Sequence, residues 1–418
     1  MDLQAKHLTA LNKLVGEIAS TNAFYSKKLK ACGGAEGFDS IEAFTRLMPY
    51  TTKGELAADH LNNPPYGTNL TYPIEEYTRL HQTSGTTGSP MAWLDTPEDW
   101  QWVVDNWKTV WLECGAKAGD TAVFPFSFGP FLGFWVAFEA AAQLGIRCLP
   151  AGGQSSLQRL KMISRYKPKW MCCTPTYALH LSNVASEEGL DLSTSSVRGI
   201  IVGGEPGGSI PEVRERIETG WGGARVFDHH GMTEVGPVTY SDIDDPNLLR
   251  IVHDTYLAEV VDQETGDPVA YGEVGELILT TLGRGGCPLL RYRTGDLVRP
   301  VAVGDEDPSA FALQGGILGR ADDMVVVRGV NLYPSAIDTV ARSLDGIGEY
   351  QVTIDRTQPM VQVSIVVENE SGESDEALIE EFEKRLRDAF ALRIPVTVSE
   401  AGSLPRFEMK ARRWNVIG

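Results

Sequence analysis

Between Thr121 and His230 the chain alternates short apolar runs with longer segments of helical period, and few folds accept that pattern. The runs begin at Thr121 (TAVFPFS), Arg147 (RCLPA), Lys169 (KWMCCTP), Arg198 (RGIIVGG) and Ala224 (ARVFDHH). Between them lie GFWVAFEAAAQLG, SLQRLKMISRYK, TYALHLSNVASEEGL and IPEVRERIETGW, each rich in helix formers with an apolar period. Strands that are apolar on both faces need cover on both, and intervening helices supply it. The pattern predicts an α/β fold built on a parallel sheet. Right-handed crossovers then place the C-terminal ends of the strands, and the loops after them, along one edge, where ligands of such sheets bind.

After about Pro268 the texture changes. GEVGELILTTL and LLRYRTGDLVRP predict strands of an antiparallel sheet or small barrel. From Asp322 the order becomes strand (MVVVRG), helix (PSAIDTVARSL), strand (YQVTIDR), strand (MVQVSIVVE), helix (DEALIEEFEKRLRDAF), strand (PVTVSE). In that second helix Leu378, Ile379, Phe382, Leu386 and Phe390 share one face, opposite Glu380, Glu381, Lys384 and Arg387. The expected organisation is a large N-terminal domain over 1–321 and a small α+β domain over 322–418, which suits a length of 418 residues.

Net charge bears on partners. With 37 Lys+Arg against 56 Asp+Glu the chain carries −19, which argues against nucleic acid as a ligand. A small anion remains compatible, because a few local donors outweigh a diffuse distant charge. No apolar run spans a bilayer, and the N-terminal Leu8, Leu11, Leu14 and Ile18 fall at helical spacing, unlike a signal peptide. The six cysteines form no C-x-x-C pair and read as buried reduced thiols of a cytoplasmic protein.

The segment richest in chemistry is Thr83-Ser84-Gly85-Thr86-Thr87-Gly88-Ser89-Pro90. Its glycines let backbone approach a ligand, its hydroxyls add donors, and consecutive amides can form an anion nest. It is not a Walker A loop, being too short between glycines and lacking the lysine. Alone it is equally a polar surface turn. Four further motifs follow in order: Gly231-Met232-Thr233-Glu234 directly after the last parallel strand, Tyr292-Arg293-Thr294-Gly295-Asp296, Gly319-Arg320-Ala321-Asp322-Asp323, and Arg328-Gly329-Val330-Asn331. Lys410 closes the set in LPRFEMKARR.

In this order the motifs resemble the adenylate-forming superfamily of acyl- and aryl-CoA ligases, carrier-loading adenylation domains and luciferases. NAFYSKKL, MPYTTKGEL, RLHQTSGTTG and RGVNLYPSAID resemble its phenylacetate–CoA ligase branch, and the likeness runs along essentially the whole chain. It implies two half-reactions. A carboxylate attacks the α-phosphate of ATP, giving an acyl-adenylate and pyrophosphate. A thiol, usually of coenzyme A, then attacks the acyl carbon and AMP leaves.

The resemblance also implies roles. Ser84, Gly85, Thr86, Thr87 and Gly88 cradle the β- and γ-phosphates, Glu234 helps hold Mg²⁺, and Thr233 donates to the α-phosphate. Asp296 accepts from the ribose hydroxyls, Arg320 sits near ribose and phosphates, and His230 takes the place of the usual adenine-stacking aromatic. Lys410 reaches in from a mobile C-terminal domain that rotates about Asp322. Each has a bland alternative: Glu234 as a helix-start carboxylate, Asp296 as a turn cap, Arg320 as a surface charge, Lys410 as a solvated tail lysine, Asp322 as a linker residue. Together, in this order, they favour the nucleotide roles.

Two departures stand out. Ser89 replaces the lysine that usually follows the second glycine of the phosphate loop, removing one positive charge. His229 and His230 point to opposite faces of a strand, and Ser241 to His253 holds no cysteine, so no zinc is expected. Phe128, Phe131 and Phe134, with Gly203, Gly204, Glu205 and His229, are the expected acid pocket, suited to a flat aryl ring. Glu205 and His229 are candidates to read a ring amino or hydroxyl group. Phe124, Phe126 and Trp135 crowd the same stretch, and half or more of these aromatics are expected to be core.

Three functions compete. The first is an aryl-CoA ligase using ATP, Mg²⁺ and coenzyme A. The second loads a carrier-protein phosphopantetheine. The third is a degenerate nucleotide-binding protein, which Ser89 favours and the retained Glu234, Asp296, Arg320 and Lys410 oppose. A homodimer is expected only because members of the branch are often dimers.

Overall fold

A computed structural model describes residues 2–83, 90–303, 310–321, 325–327, 330–344, 346–357, 361–370, 372, 374–407 and 413–417. The five apolar runs form one parallel sheet, ordered Arg147–Pro150, Thr121–Phe124, Trp170–Cys173, Gly199–Gly203, Arg225–His229. Alternation along each strand divides its side chains between two cores. Ala122, Phe124, Trp170, Cys172, Ile201 and Phe227 face helices Pro97–Glu113 and Leu132–Gln143. Val123, Met171, Cys173, Ile200, Val202 and Val226 face helices Ser156–Tyr166, Pro175–Glu187 and Pro211–Gly220. Each large side chain so buried contributes about 1.5–3 kcal/mol.

Helix Pro97–Glu113 was not among the expected elements. A Thr96/Asp99 capping box and a proline at its first turn open it, and Trp100, Val103, Val104, Trp107, Val110 and Trp111 form its buried stripe. Strand Arg147–Pro150 departs from the all-buried expectation because it is the sheet edge, and Cys148 is accordingly half-buried. Cys32, half-buried as well, caps helix Ala23–Ala31; the other four cysteines are buried, and all six are free thiols.

The antiparallel part is two four-stranded sheets around one core that includes Leu249, Ile251, Leu277, Leu279, Tyr292, Val298 and Leu313. The C-terminal unit has its own core. Its sheet runs Val396–Ser399, Gln362–Asn369, Ile347–Asp355, Trp414–Ile417. Leu378, Phe382 and Leu386 are buried there as their helical spacing required, with Ile379 and Phe390 packed alongside. The strand Trp414–Ile417, parallel to Ile347–Asp355, is a further element that the sequence pattern did not predict. Helix Pro334–Arg342 of this unit lies against helix Pro211–Gly220 and strand Gly319–Arg320 of the larger part. Among the described residues no helix is long and apolar enough to cross a membrane.

Candidate active site

Strands Gly199–Gly203 and Arg225–His229 run side by side with Gly203 opposite His229, so their ends deliver Gly203, Gly204, Glu205, His229 and His230 to one edge. His229 Nδ1 lies 2.7 Å from the Thr239 carbonyl, which only accepts, so Nδ1 carries the proton and Nε2 is the ring's acceptor. Burial pushes this imidazole down to about 4, keeping it neutral, and its ring tilts against Trp107 at 4.4 Å. Glu205 accepts the Thr176 amide at 2.9 Å, at the start of helix Pro175–Glu187, where the helix dipole favours an anion. One of its oxygens is therefore engaged before any substrate arrives.

Of the crowded aromatics, Phe124 and Phe126 are buried core, fewer among the five described than the half or more expected, because the loop and helix start after the strand carry the others toward the surface. Phe128 and Phe131 are half-buried, and Phe128 packs 4.8 Å from Trp135. The Phe134 side chain lies outside the described residues.

After His230 the chain makes a two-residue ladder, Gly231 opposite Pro237 and Met232 opposite Gly236, with Thr233, Glu234 and Val235 at its tip. Three successive carbonyls of this tip are held from behind. Arg284 Nη1 donates to Thr233 (3.0 Å) and Glu234 (2.9 Å), and the Tyr256 hydroxyl donates to Val235 (2.7 Å). The Glu234 carboxylate is buried, with Lys53 Nζ at 4.0 Å. Lys53 stands in the MPYTTKGEL segment, yet nothing in spacing alone connects it to Glu234.

Asp296 and Arg320 face each other across an antiparallel pair, and Arg320 Nη1 donates to Asp296 Oδ1 at 2.9 Å. His230 Nε2 lies 3.1 Å from Asp296 Oδ2, and among the described residues neither of these buried atoms has a hydrogen-bond partner. Burial alone would raise the Asp296 carboxyl; the neighbouring His230 and the charge and hydrogen bond of Arg320 outweigh it and hold it below the usual range. The site thus contains a buried carboxylate oxygen that accepts no hydrogen bond among the described residues. His230, expected to stack on adenine, is turned toward this carboxylate.

Strands Arg79–Gln82 and Ala92–Asp95 form an antiparallel hairpin, closed at its mouth where the Thr83 amide donates to the Met91 carbonyl and the Met91 amide to the Thr83 hydroxyl. Ser84, Gly85, Thr86, Thr87, Gly88 and Ser89 fall between those residues and lie outside the described set. So do Asp322 and Lys410. Described residues flanking Lys410 are firmly tied: Arg406 donates to the fully buried Glu368, and Arg413 to Glu349. The Gln82 amide donates to the Pro130 carbonyl, joining the hairpin to the aromatic loop. Among the described residues no group of three or more His, Cys, Asp or Glu side chains is placed to hold a metal ion.

Residues 78–283 match the family model of AMP-binding enzymes, and residues 329–415 match that of the AMP-binding enzyme C-terminal domain. The chain is 30% identical over 428 residues to a phenylacetate-coenzyme A ligase of Thermus thermophilus, covering 97% of this chain and 94% of that protein. It overlays 2-hydroxyisobutyryl-CoA ligase in its postadenylation state with 2-HIB-AMP at a TM-score of 0.91, with 28% identity and coverage of 98% of this chain and 89% of that one. The same ligase with 2-HIB-AMP and CoA, in its thioesterification state, gives 0.73 at 29% identity and coverage of 99% and 89%. Sequence and coverage barely differ between the two, so the chain overlays the postadenylation structure of that ligase more closely than its thioesterification structure.

Proposed function

Because the chain belongs to the AMP-binding enzyme family, in its phenylacetate–CoA ligase-like branch, it is an AMP-forming acid–CoA ligase, and we propose that it activates a small aryl carboxylic acid. The observation that carries the nucleotide half is the orphaned Asp296 Oδ2, buried, ionised and flanked by Arg320 and His230. A ribose diol supplies the hydroxyl donors that this atom lacks, and a buried carboxylate oxygen without a hydrogen-bond donor is costly otherwise.

On this reading Asp296 grips the ribose, and Arg320 bridges ribose and phosphate. His230 orients Asp296 and borders the base. Thr233 donates to the α-phosphate. Glu234 is the carboxylate for Mg²⁺, which takes one or two carboxylates and otherwise phosphate oxygens and water; that ion, when bound, offsets phosphate charge. Ser84, Gly85, Thr86, Thr87 and Gly88 surround the β- and γ-phosphates, and Lys53 offsets the charge lost at Ser89. The acid lies between the loop of Phe128, Phe131 and Phe134 and the strand ends at Gly203, Gly204 and Glu205. Neutral His229, with Nε2 as acceptor, suits a ring hydroxyl or amine. Lys410 faces the reacting oxygens during adenylation, and residues 322–418 rotate about Asp322 to admit coenzyme A.

Acid-dependent pyrophosphate release across a panel of aryl and aliphatic acids, with and without coenzyme A, tests the proposal. Benzoates and phenylacetates should head the panel, with thioester formed on free coenzyme A. A preference for long aliphatic acids rejects the aryl assignment. Pyrophosphate release without a coenzyme A thioester moves the acceptor to a carrier-protein thiol.

A further inference from the structure

We infer that Arg284 is a positioning residue for the phosphate and metal side of the site, fixing the spacing between the phosphate hairpin and the Glu234 carboxylate. The inference rests on the ligase function proposed for this site. Arg284 is fully buried and lies in the short segment Gly283–Arg284–Gly285–Gly286, which no sequence motif marked. Gly286 is required there: a Cβ would fall 2.2 Å from Asp99 Oδ2, and its amide donates to both Asp99 oxygens at 3.1 Å. The segment is thereby pinned beside the arginine.

Its guanidinium is divided between two elements. Nε donates to Asp95 Oδ1 at 2.6 Å and Nη2 to Asp95 Oδ2 at 2.8 Å, a bidentate pair with both partners fully buried. Asp95 ends the hairpin strand that returns from residues 84–89, opposite Arg79. Nη1 donates to the carbonyls of Thr233 and Glu234. One rigid planar group therefore links the base of the phosphate hairpin to the backbone that aims the Mg²⁺ carboxylate. Lysine offers no such fork. Were the pair only a stabilising contact, an apolar replacement of both partners would keep the fold and the site alike, because buried ion pairs roughly break even against packed apolar groups.

The test uses the full chain carrying Arg284→Met with Asp95→Leu, beside Arg284→Lys as a variant that keeps the charge. MgATP and AMP binding are measured by calorimetry, and the two half-reactions are measured separately. MgATP affinity should fall about tenfold or more, as for other residues that orient metal ligands. AMP, gripped through Asp296, should change by less than about threefold. Acid-dependent pyrophosphate exchange should fall about 100-fold, the scale of a one-ångström misplacement. Thioester formation from supplied acyl-adenylate should change little. Equal weakening of MgATP and AMP, or a double variant that exchanges pyrophosphate like the parent, overturns the inference. A parent chain that binds neither nucleotide fails earlier and sinks the ligase reading itself, taking the inference with it.

Discussion

Asp296 and His229 are both deeply buried titratable groups, and their surroundings act on them in different ways. Asp296 is held below the ordinary carboxylate range despite burial, by His230 and Arg320. Its contribution is present above the unfolded carboxyl pKa and is lost as pH falls through the lower folded value. His229 is pushed down from 6.5 to about 4 by burial. Below pH 6.5 the unfolded chain takes a proton that the folded chain refuses, so stability falls as pH drops toward 4. The loss by pH 4.5 is about 2–3 kcal/mol. Urea midpoints at pH 7.5 and 4.5 check this: His229→Gln should flatten the fall, and an unchanged slope refutes the assignment. At the ligand, Asp296→Asn should weaken AMP binding by about 10- to 100-fold, the worth of a charged hydrogen bond, with melting temperature measured alongside. Asp296, Arg320, Glu234 and Thr233 stood out as candidates because their motifs are short and contiguous. Lys53, Asp95, Tyr256 and Arg284 did not, since each acts through a partner far away in sequence, and no period or spacing encodes such a contact.

Among the elements, the parallel strands and their crossover helices were readable because burial on both faces leaves a plain mark: unbroken apolar residues. Gly199 is an exception that only packing explains. It stands opposite Trp170 on the neighbouring strand, and a Cβ there would lie 2.1 Å from the indole. Gly199→Ala must displace a side chain shared with Phe227 and Trp111. The expected cost is about 3 kcal/mol, at the upper end for overpacking, read as a lower denaturant midpoint at unchanged slope. The tryptophan-rich helix Pro97–Glu113 carries a clear i, i+3, i+4 stripe and a capping box, so its signal was present in the sequence. The hairpin around residues 84–89 is harder. Its four-residue strands are too short for periodicity, and the glycine-rich segment between them reads equally well as a surface turn. The C-terminal strand Trp414–Ile417 is largely exposed and, among the described residues, pairs with one strand, Ile347–Asp355, so its sequence lacks the long apolar run that betrays a buried strand.

At the scale of the whole molecule, the contact between the C-terminal unit and the larger part was beyond sequence, because no period or spacing encodes which faces of two folded units meet. Helix Pro334–Arg342 rests on helix Pro211–Gly220 and on the strand of Arg320, in a chain whose overlay fits the postadenylation state of 2-hydroxyisobutyryl-CoA ligase. The overlay drops from 0.91 to 0.73 against that ligase's thioesterification state. Under the proposed function Lys410 serves only one of the two states. The ion pairs Arg406–Glu368 and Arg413–Glu349 anchor the chain on either side of position 410 within the C-terminal unit. A cation used in one state and withdrawn in the other must affect the half-reactions unequally. Lys410→Ala should lower acid-dependent pyrophosphate exchange by about 100- to 1,000-fold, the usual scale for one preorganised charge. Thioester formation from supplied acyl-adenylate and coenzyme A should stay within about threefold of the parent, since the lysine contributes nothing there. Equal loss in both halves would place Lys410 in a fixed structural role and remove the case for rotation about Asp322.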